Sequence, residues 1–268
     1  MKLKELLAEA ENTKFADIEI SNVKKDSRKV DKNDAFVCIN GVTADGHRFA
    51  KSAVENGAAV VICERDLGLE NQLVVDDTRK AYALMCAAFF GNPAKKLKIV
   101  GVTGTNGKTT TCIVLKSILE HFGHKVGLIG TVQNMIGDEI LPAKNTTPGS
   151  YELHSLFSLM YSSDCDYVVM EVSSHAIDMK RVYGLTYAAC VLTQDHLDYH
   201  KTMENYLNVK KSIFSLCDIA VVNADDKYAK DIIEACDCDV VTYSIKNSES
   251  TFVAQNICHR VDGVDFEV

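Results

Sequence analysis

Residues 98–111 read KIVGVTGTNGKTTT. The β-branched run Ile99, Val100, Val102 leads into a Gly-rich turn, and Gly107-Lys108-Thr109 opens a helical stretch. A strand feeding such a loop aims successive backbone N–H groups and the positive end of a helix at one point, which suits the phosphates of a nucleoside triphosphate. In that geometry Gly104, Thr105, Asn106, Gly107, Lys108, Thr109 and Thr110 cradle the triphosphate. Lys108 reaches the β/γ-phosphates and the Thr109 hydroxyl holds Mg²⁺. The general pattern G-x-x-x-x-G-K-[ST] is met imperfectly, because Val102 stands five positions before Gly107 and the nearest glycines are Gly101 and Gly104. The loop therefore belongs to a variant class. The plainer alternative is a Gly-rich turn packed between strand and helix.

With 268 residues, 47% of them hydrophobic, the chain has material for two buried cores. A formal charge of −8 argues against a nucleic-acid binder, which needs a basic face, so any phosphate site must be local. Cys38, Cys63, Cys86, Cys112 and Cys190 sit inside apolar runs, where free cysteine behaves as a small hydrophobe; this suits a reducing cytoplasm. The close pair Cys236 and Cys238 lacks a second pair or a histidine at zinc-site spacing and reads as incidental. No stretch approaches the roughly 18 apolar residues of a membrane span, and the N-terminus lacks a leader's apolar centre, so neither secretion nor membrane insertion is expected.

Strand-like and helix-like segments alternate. A short opening helix precedes a strand at 35–39, a helix at 48–56 with Phe49 and Ala53 four apart, strands at 58–63 and 72–75, and a helix at 78–90 closed by Gly91-Asn92-Pro93. The domain boundary is placed there, giving 1–93 and 94–268. The second unit reads as strands at 98–103, 126–129, 167–172, 187–192, 219–222 and 240–243, with helices at 109–122, 151–161, 204–216 and 228–236. The expected fold class is α/β: a small N-terminal α/β domain followed by a P-loop NTPase-type domain with a mainly parallel sheet, ligands lying at the C-terminal strand ends. Residues 251–257 and 264–268 flank Asp262-Gly263 as a hairpin.

Further candidate residues fall at such strand ends. Glu171 follows an apolar strand, where a carboxylate can anchor Mg²⁺ beside nucleotide phosphates or merely cap the next helix. Residues 195–200, DHLDYH, are rich in ligand-type side chains, although a solvated helix start has the same composition. Asn145-Thr146-Thr147-Pro148 offers hydroxyls to a second phosphate group or to a helix cap. Lys210-Lys211 reads by itself as a solvated face.

KDSRKV (25–30), ADGHRF (44–49), GVTGTNGKTTT (101–111), NTTP (145–148), MEVSSHAIDMKRV (170–182) and LTQDHLDYHKTMENYLNVKK (192–211) together closely resemble the bacterial Mur ligases. The resemblance runs from Asp26 onward. It implies a cytoplasmic, ATP-dependent amide ligase, expected as a monomer, that joins a diamino acid, meso-diaminopimelate or L-lysine, to UDP-N-acetylmuramoyl-L-alanyl-D-glutamate through an acyl phosphate. It also implies an N-terminal domain for the uridine nucleotide. Carried over residue by residue, Lys108, Glu171, His196 and Lys210 are catalytic; Thr109, Glu171, His196 and a carbamylated Lys210 hold Mg²⁺. Ser27 would contact the uridine part, Thr146 and Thr147 the substrate, and Ser173 and Arg181 its muramoyl-peptide portion. The run 190–194 is a few residues shorter than the family's, which would displace His196 by several Å, since a strand rises about 3.3 Å per residue. Family members continue past the position of Val268 into a domain that selects the diamino acid, so the sequence is expected to hold the N-terminal and partial central domains and to be inactive alone.

Other readings stay open: a small-molecule kinase, which shares the loop but has no use for the other motifs together; a nucleotide-binding module without turnover; and a sister Mur ligase or folylpolyglutamate synthetase-like ligase.

Overall fold

The computed structural model describes residues 1–41, 44–104, 106–182, 185–191 (backbone only), 208–209 and 211–268. The chain divides into two units. Met1–Pro93, Gly149–Ser158 and Met179–Tyr183 form the first; Ala94–Pro148, Leu159–Asp178 and Gly184–Val268 form the second.

The first unit is built on a parallel sheet of β1 (Val23–Lys24), β2 (Ala35–Val37), β3 (Val60–Cys63) and β4 (Gln72–Val74), in that order. β2 and β3 are buried along their whole length, which is why they read as unbroken apolar runs rather than as alternation. Helices α1 (Leu3–Leu6) and α3 (Thr78–Phe89) cover one face: Leu3, Leu6, Tyr82 and Met85 pack on Val37 and Ile62. α3 starts where the Asp77 carboxylate accepts the Lys80 N–H at 2.9 Å, and stops before Gly91, whose φ of +76° a side chain would disfavour. On the other face α2 (Ala50–Glu55) turns Ala50 and Ala53 toward Phe36 and Val61. Phe49 is exposed, contrary to the i, i+4 pairing with Ala53. A 3-10 turn over Gly46–Phe49 precedes the helix and changes the phase of its inward face.

Among the described residues the second unit carries a nine-stranded sheet in the order β13-β12-β11-β10-β5-β9-β6-β7-β8. β5 (Lys98–Gly104), β6 (Val126–Ile129), β9 (Tyr167–Glu171), β10 (Leu185–Val191), β11 (Cys217–Asn223), β12 (Asp239–Ser244) and β13 (Phe252–Val253) are mutually parallel. The antiparallel pair β7 (Asn134–Ile136) and β8 (Glu139–Leu141) extends one edge through a turn at Gly137-Asp138, a departure from helix–strand alternation. The described end of the helix expected at 204–216 is a 3-10 turn, Ser212–Leu216. The segment expected as one strand at 251–257 divides at Ala254: β13 joins the large sheet, while β14 (Gln255–His259) pairs with β15 (Val264–Glu267) as a separate hairpin. Helices α4 (Lys108–His121), α5 (Ser150–Ser162) and α6 (Ser174–Asp178) follow β5, β8 and β9 in the chain. Among the described residues no helix is long and apolar enough to cross a membrane.

Candidate functional site

The central strand β5 ends at Gly104, and α4 begins at Lys108. Gly107, the N-cap, has φ +81° and ψ −7°, and nothing would touch a Cβ built on it; glycine is needed for the dihedral, not for space. Three positions, 105–107, thus separate the end of β5 from the start of α4. Lys108 Nζ donates to Gly104 O at 2.8 Å, laying the ammonium along the loop. Thr109 lines an open cavity of about 270 Å³ together with Cys112, Leu128, Gly130, Gln133 and Glu171. The Cys112 thiol is pushed up to about 12, by burial first and then by the Glu171 charge, so it is an inert wall of the cavity.

Glu171, the last residue of β9, is 2% exposed. Burying a carboxylate is costly unless its oxygens find donors. Thr131, just beyond β6, meets that need: its N–H donates to Oε1 at 2.8 Å and its hydroxyl to Oε2 at 3.1 Å. Gly130 makes the approach possible, since a Cβ there would lie 2.6 Å from Oε1. The Thr131 and Thr146 hydroxyl oxygens are 3.0 Å apart. Thr147 donates to Glu171 O at 2.9 Å and accepts from Ser173 N at 2.9 Å. The structure therefore brings Thr146, Thr147, Glu171 and Ser173 together beside Thr109. Gly130 and Thr131 were missed in the sequence reading; their only local signal is a Gly-Thr pair directly after an apolar strand.

The donor set suits Mg²⁺. Glu171 and Thr109 offer hard oxygens on one cavity. Among those residues no cluster of three or more His, Cys, Asp or Glu is placed to hold a metal. One carboxylate and one hydroxyl, with phosphate oxygens completing the shell, is a usual arrangement for Mg²⁺.

In the first unit, Ser27 is buried at the start of a 3-10 turn capped by the Asp26 carboxylate. Arg181 lies elsewhere in that unit, on a cavity of about 430 Å³ shared with Lys25, Arg79 and Tyr82. The Lys25 amine is held below its ordinary value by burial and then by the Arg181 charge, as expected where cations gather. Its Nζ stands 5.6 Å from the centre of the Tyr82 ring, and Arg79 Nη2 donates to Asn40 O at 2.7 Å. Lys25 and Arg79 are additions to the sequence-derived set. Thr105, His196 and Lys210 lie outside the described residues.

A model of the Mur ligase middle domain matches residues 102–268, and one described as the Mur ligase family catalytic domain matches 19–103. The chain belongs to the Mur ligase family. This Mur ligase chain is 44% identical over 258 residues to the UDP-N-acetylmuramoyl-L-alanyl-D-glutamate--2,6-diaminopimelate ligase of Clostridium botulinum, an alignment covering 93% of this chain and 53% of that protein. The enzyme of the same name from Bacillus velezensis is 41% identical over 276 residues, covering 98% and 56%. The chain thus spans about half the length of the curated relatives it matches. A solved structure of a ligase of that name superposes with a TM-score of 0.87 at 25% identity, covering 99% of this chain and 57% of the other. The MurF ligase of Thermotoga maritima in complex with ADP shares the fold, with a TM-score of 0.54 at 22% identity over 91% and 55% of the two chains.

Proposed function

We propose that this chain carries the ATP-binding and uridine-nucleotide-binding parts of an ATP-dependent ligase that joins 2,6-diaminopimelate to UDP-N-acetylmuramoyl-L-alanyl-D-glutamate, a step in making peptidoglycan precursors. The observation that carries the reading is the Lys108–Thr109 loop set beside a buried Glu171, in a chain 44% identical to a ligase of that name.

A carboxylate and an amine do not condense in water, because the carboxylate is a poor electrophile. Transfer of the γ-phosphoryl group to the D-Glu side chain creates an acyl phosphate, and the amine of diaminopimelate then expels phosphate. Both partners of the first step are anions, so catalysis rests on positioning and charge stabilisation. Lys108 would lie along the β/γ-phosphates, and the N–H groups at the start of α4 would receive their oxygens. Thr109 and Glu171 would hold Mg²⁺, which when bound neutralises phosphate charge. Thr146, Thr147 and Ser173 would orient the substrate near that centre; within the first unit, Lys25, Arg79 and Arg181 form a cationic recess suited to acidic groups. Roles for His196 and for a carbamylated Lys210 supporting a second Mg²⁺ rest on the family resemblance.

For a protein of the relatives' full length, phosphate release that requires ATP, the UDP-linked dipeptide and diaminopimelate together is the expected result, whereas residues 1–268 alone are expected to bind nucleotide without turnover. Release independent of the amine would favour a kinase or ATPase. Arg181→Ala is expected to weaken calorimetric binding of the UDP-linked dipeptide by roughly tenfold to a hundredfold, the range for losing a charge-assisted hydrogen bond, with Mg·ATP affinity unchanged. Undiminished dipeptide binding removes the recess from the substrate site. Lys210→Ala should lose activity that a short-chain carboxylate partly restores, since the added anion replaces the carbamate; no rescue counts against that role.

A further inference from the structure

We infer that Thr131 is a positioning residue for the metal carboxylate and ties it to the substrate loop. The inference rests on the proposed nucleotide and metal roles of Lys108, Thr109 and Glu171. A hydroxyl carries one proton. Because a carboxylate only accepts, the Thr131 hydroxyl hydrogen serves Glu171 Oε2 at 3.1 Å, and the Thr146 hydroxyl oxygen stands 3.0 Å from the same Thr131 oxygen. The Thr131 N–H fixes the other carboxylate oxygen at 2.8 Å. With each oxygen engaged once, the carboxylate has a set orientation and a free lone pair on each oxygen. The main chain of Glu171 is meanwhile held by Thr147 at 2.9 Å, from the same 145–148 loop. Two adjacent threonines of that loop thus grip Glu171 at its two ends, one directly and one through Thr131. Gly130 belongs to the device, since any side chain there would displace Oε1.

Partners that orient a metal ligand typically contribute tenfold to a hundredfold in metal affinity. The test measures nucleotide affinity by calorimetry, with and without Mg²⁺, for Thr131→Val, Thr131→Ser and Gly130→Ala, alongside thermal midpoints. Thr131→Val keeps the N–H and the shape but removes the hydroxyl. It is expected to bind nucleotide normally in EDTA yet to need at least about tenfold more Mg²⁺ for half of the metal-dependent gain. Thr131→Ser should restore the original Mg²⁺ requirement, and Gly130→Ala should raise it by moving Oε1. An unchanged Mg²⁺ requirement in Thr131→Val, or an equal rise in Val and Ser variants, overturns the inference. If Thr131→Val does not fold, an unchanged requirement in Gly130→Ala does the same. Absence of nucleotide binding by the unmodified protein both with and without Mg²⁺ would instead strike the underlying assignment of the loop.

Discussion

Lys108→Ala lowers Mg·ATP affinity by roughly thirtyfold to a hundredfold, with no more than a small change in thermal midpoint. The ammonium bonds the Gly104 carbonyl within its own loop, a local contact whose loss costs about 0.5–1.5 kcal/mol. Against phosphate its role differs in kind. A charge-assisted hydrogen bond contributes about 1.5–3 kcal/mol, and a triphosphate brings more negative charge than the loop's N–H groups alone offset. Lys108→Arg should restore only part of the affinity, because a planar guanidinium fork meets phosphate with a different geometry from a compact ammonium. Calorimetry with a non-hydrolysable ATP analogue reads the effect directly. Unchanged affinity in Lys108→Ala would detach the 104–110 loop from nucleotide binding, whatever the family.

The phosphate loop was legible because its signal is contiguous: an apolar run, glycines and Lys-Thr in one window specify strand, turn and helix start. The same holds for β2, β3 and β9, whose double-sided burial makes them short unbroken apolar runs. Thr131 was not legible, because its importance lies in a carboxylate 40 positions away that only the parallel pairing of β6 with β9 brings near. Lys25 and Arg79 carry no local signal; the end of β1 and the start of α3 place them on one recess with Arg181. β1 itself spans Val23–Lys24, too short to show any periodicity. The β7–β8 turn did carry its own signal, Gly137-Asp138 between apolar residues, but the prevailing alternation of strands and helices masked it.

Stability of the first unit should fall as pH drops from about 6.5 to about 4, and His154→Leu should flatten that fall. His154 on α5 is fully buried, its two ring nitrogens have no hydrogen-bond partner among the described residues, and burial pushes its imidazole down to about 4. The unfolded chain takes up a proton near the ordinary histidine value of about 6.5, whereas the folded chain resists until about 4. Between those values the unfolded state binds more protons, so stability decreases as pH falls; above and below the window this residue adds no slope. The full difference is on the order of 3 kcal/mol, with about 2 kcal/mol already lost at pH 5. Leucine removes both the titrating group and two unpaired buried polar atoms, each of which costs about 1–3 kcal/mol, while giving back part of that gain through imperfect filling of the site. Denaturant midpoints of the two proteins, followed by a probe in the first unit, should therefore diverge as pH is lowered, the variant being the more stable at pH 5. Parallel pH profiles would mean that His154 finds a partner, or a proton, that its surroundings do not account for.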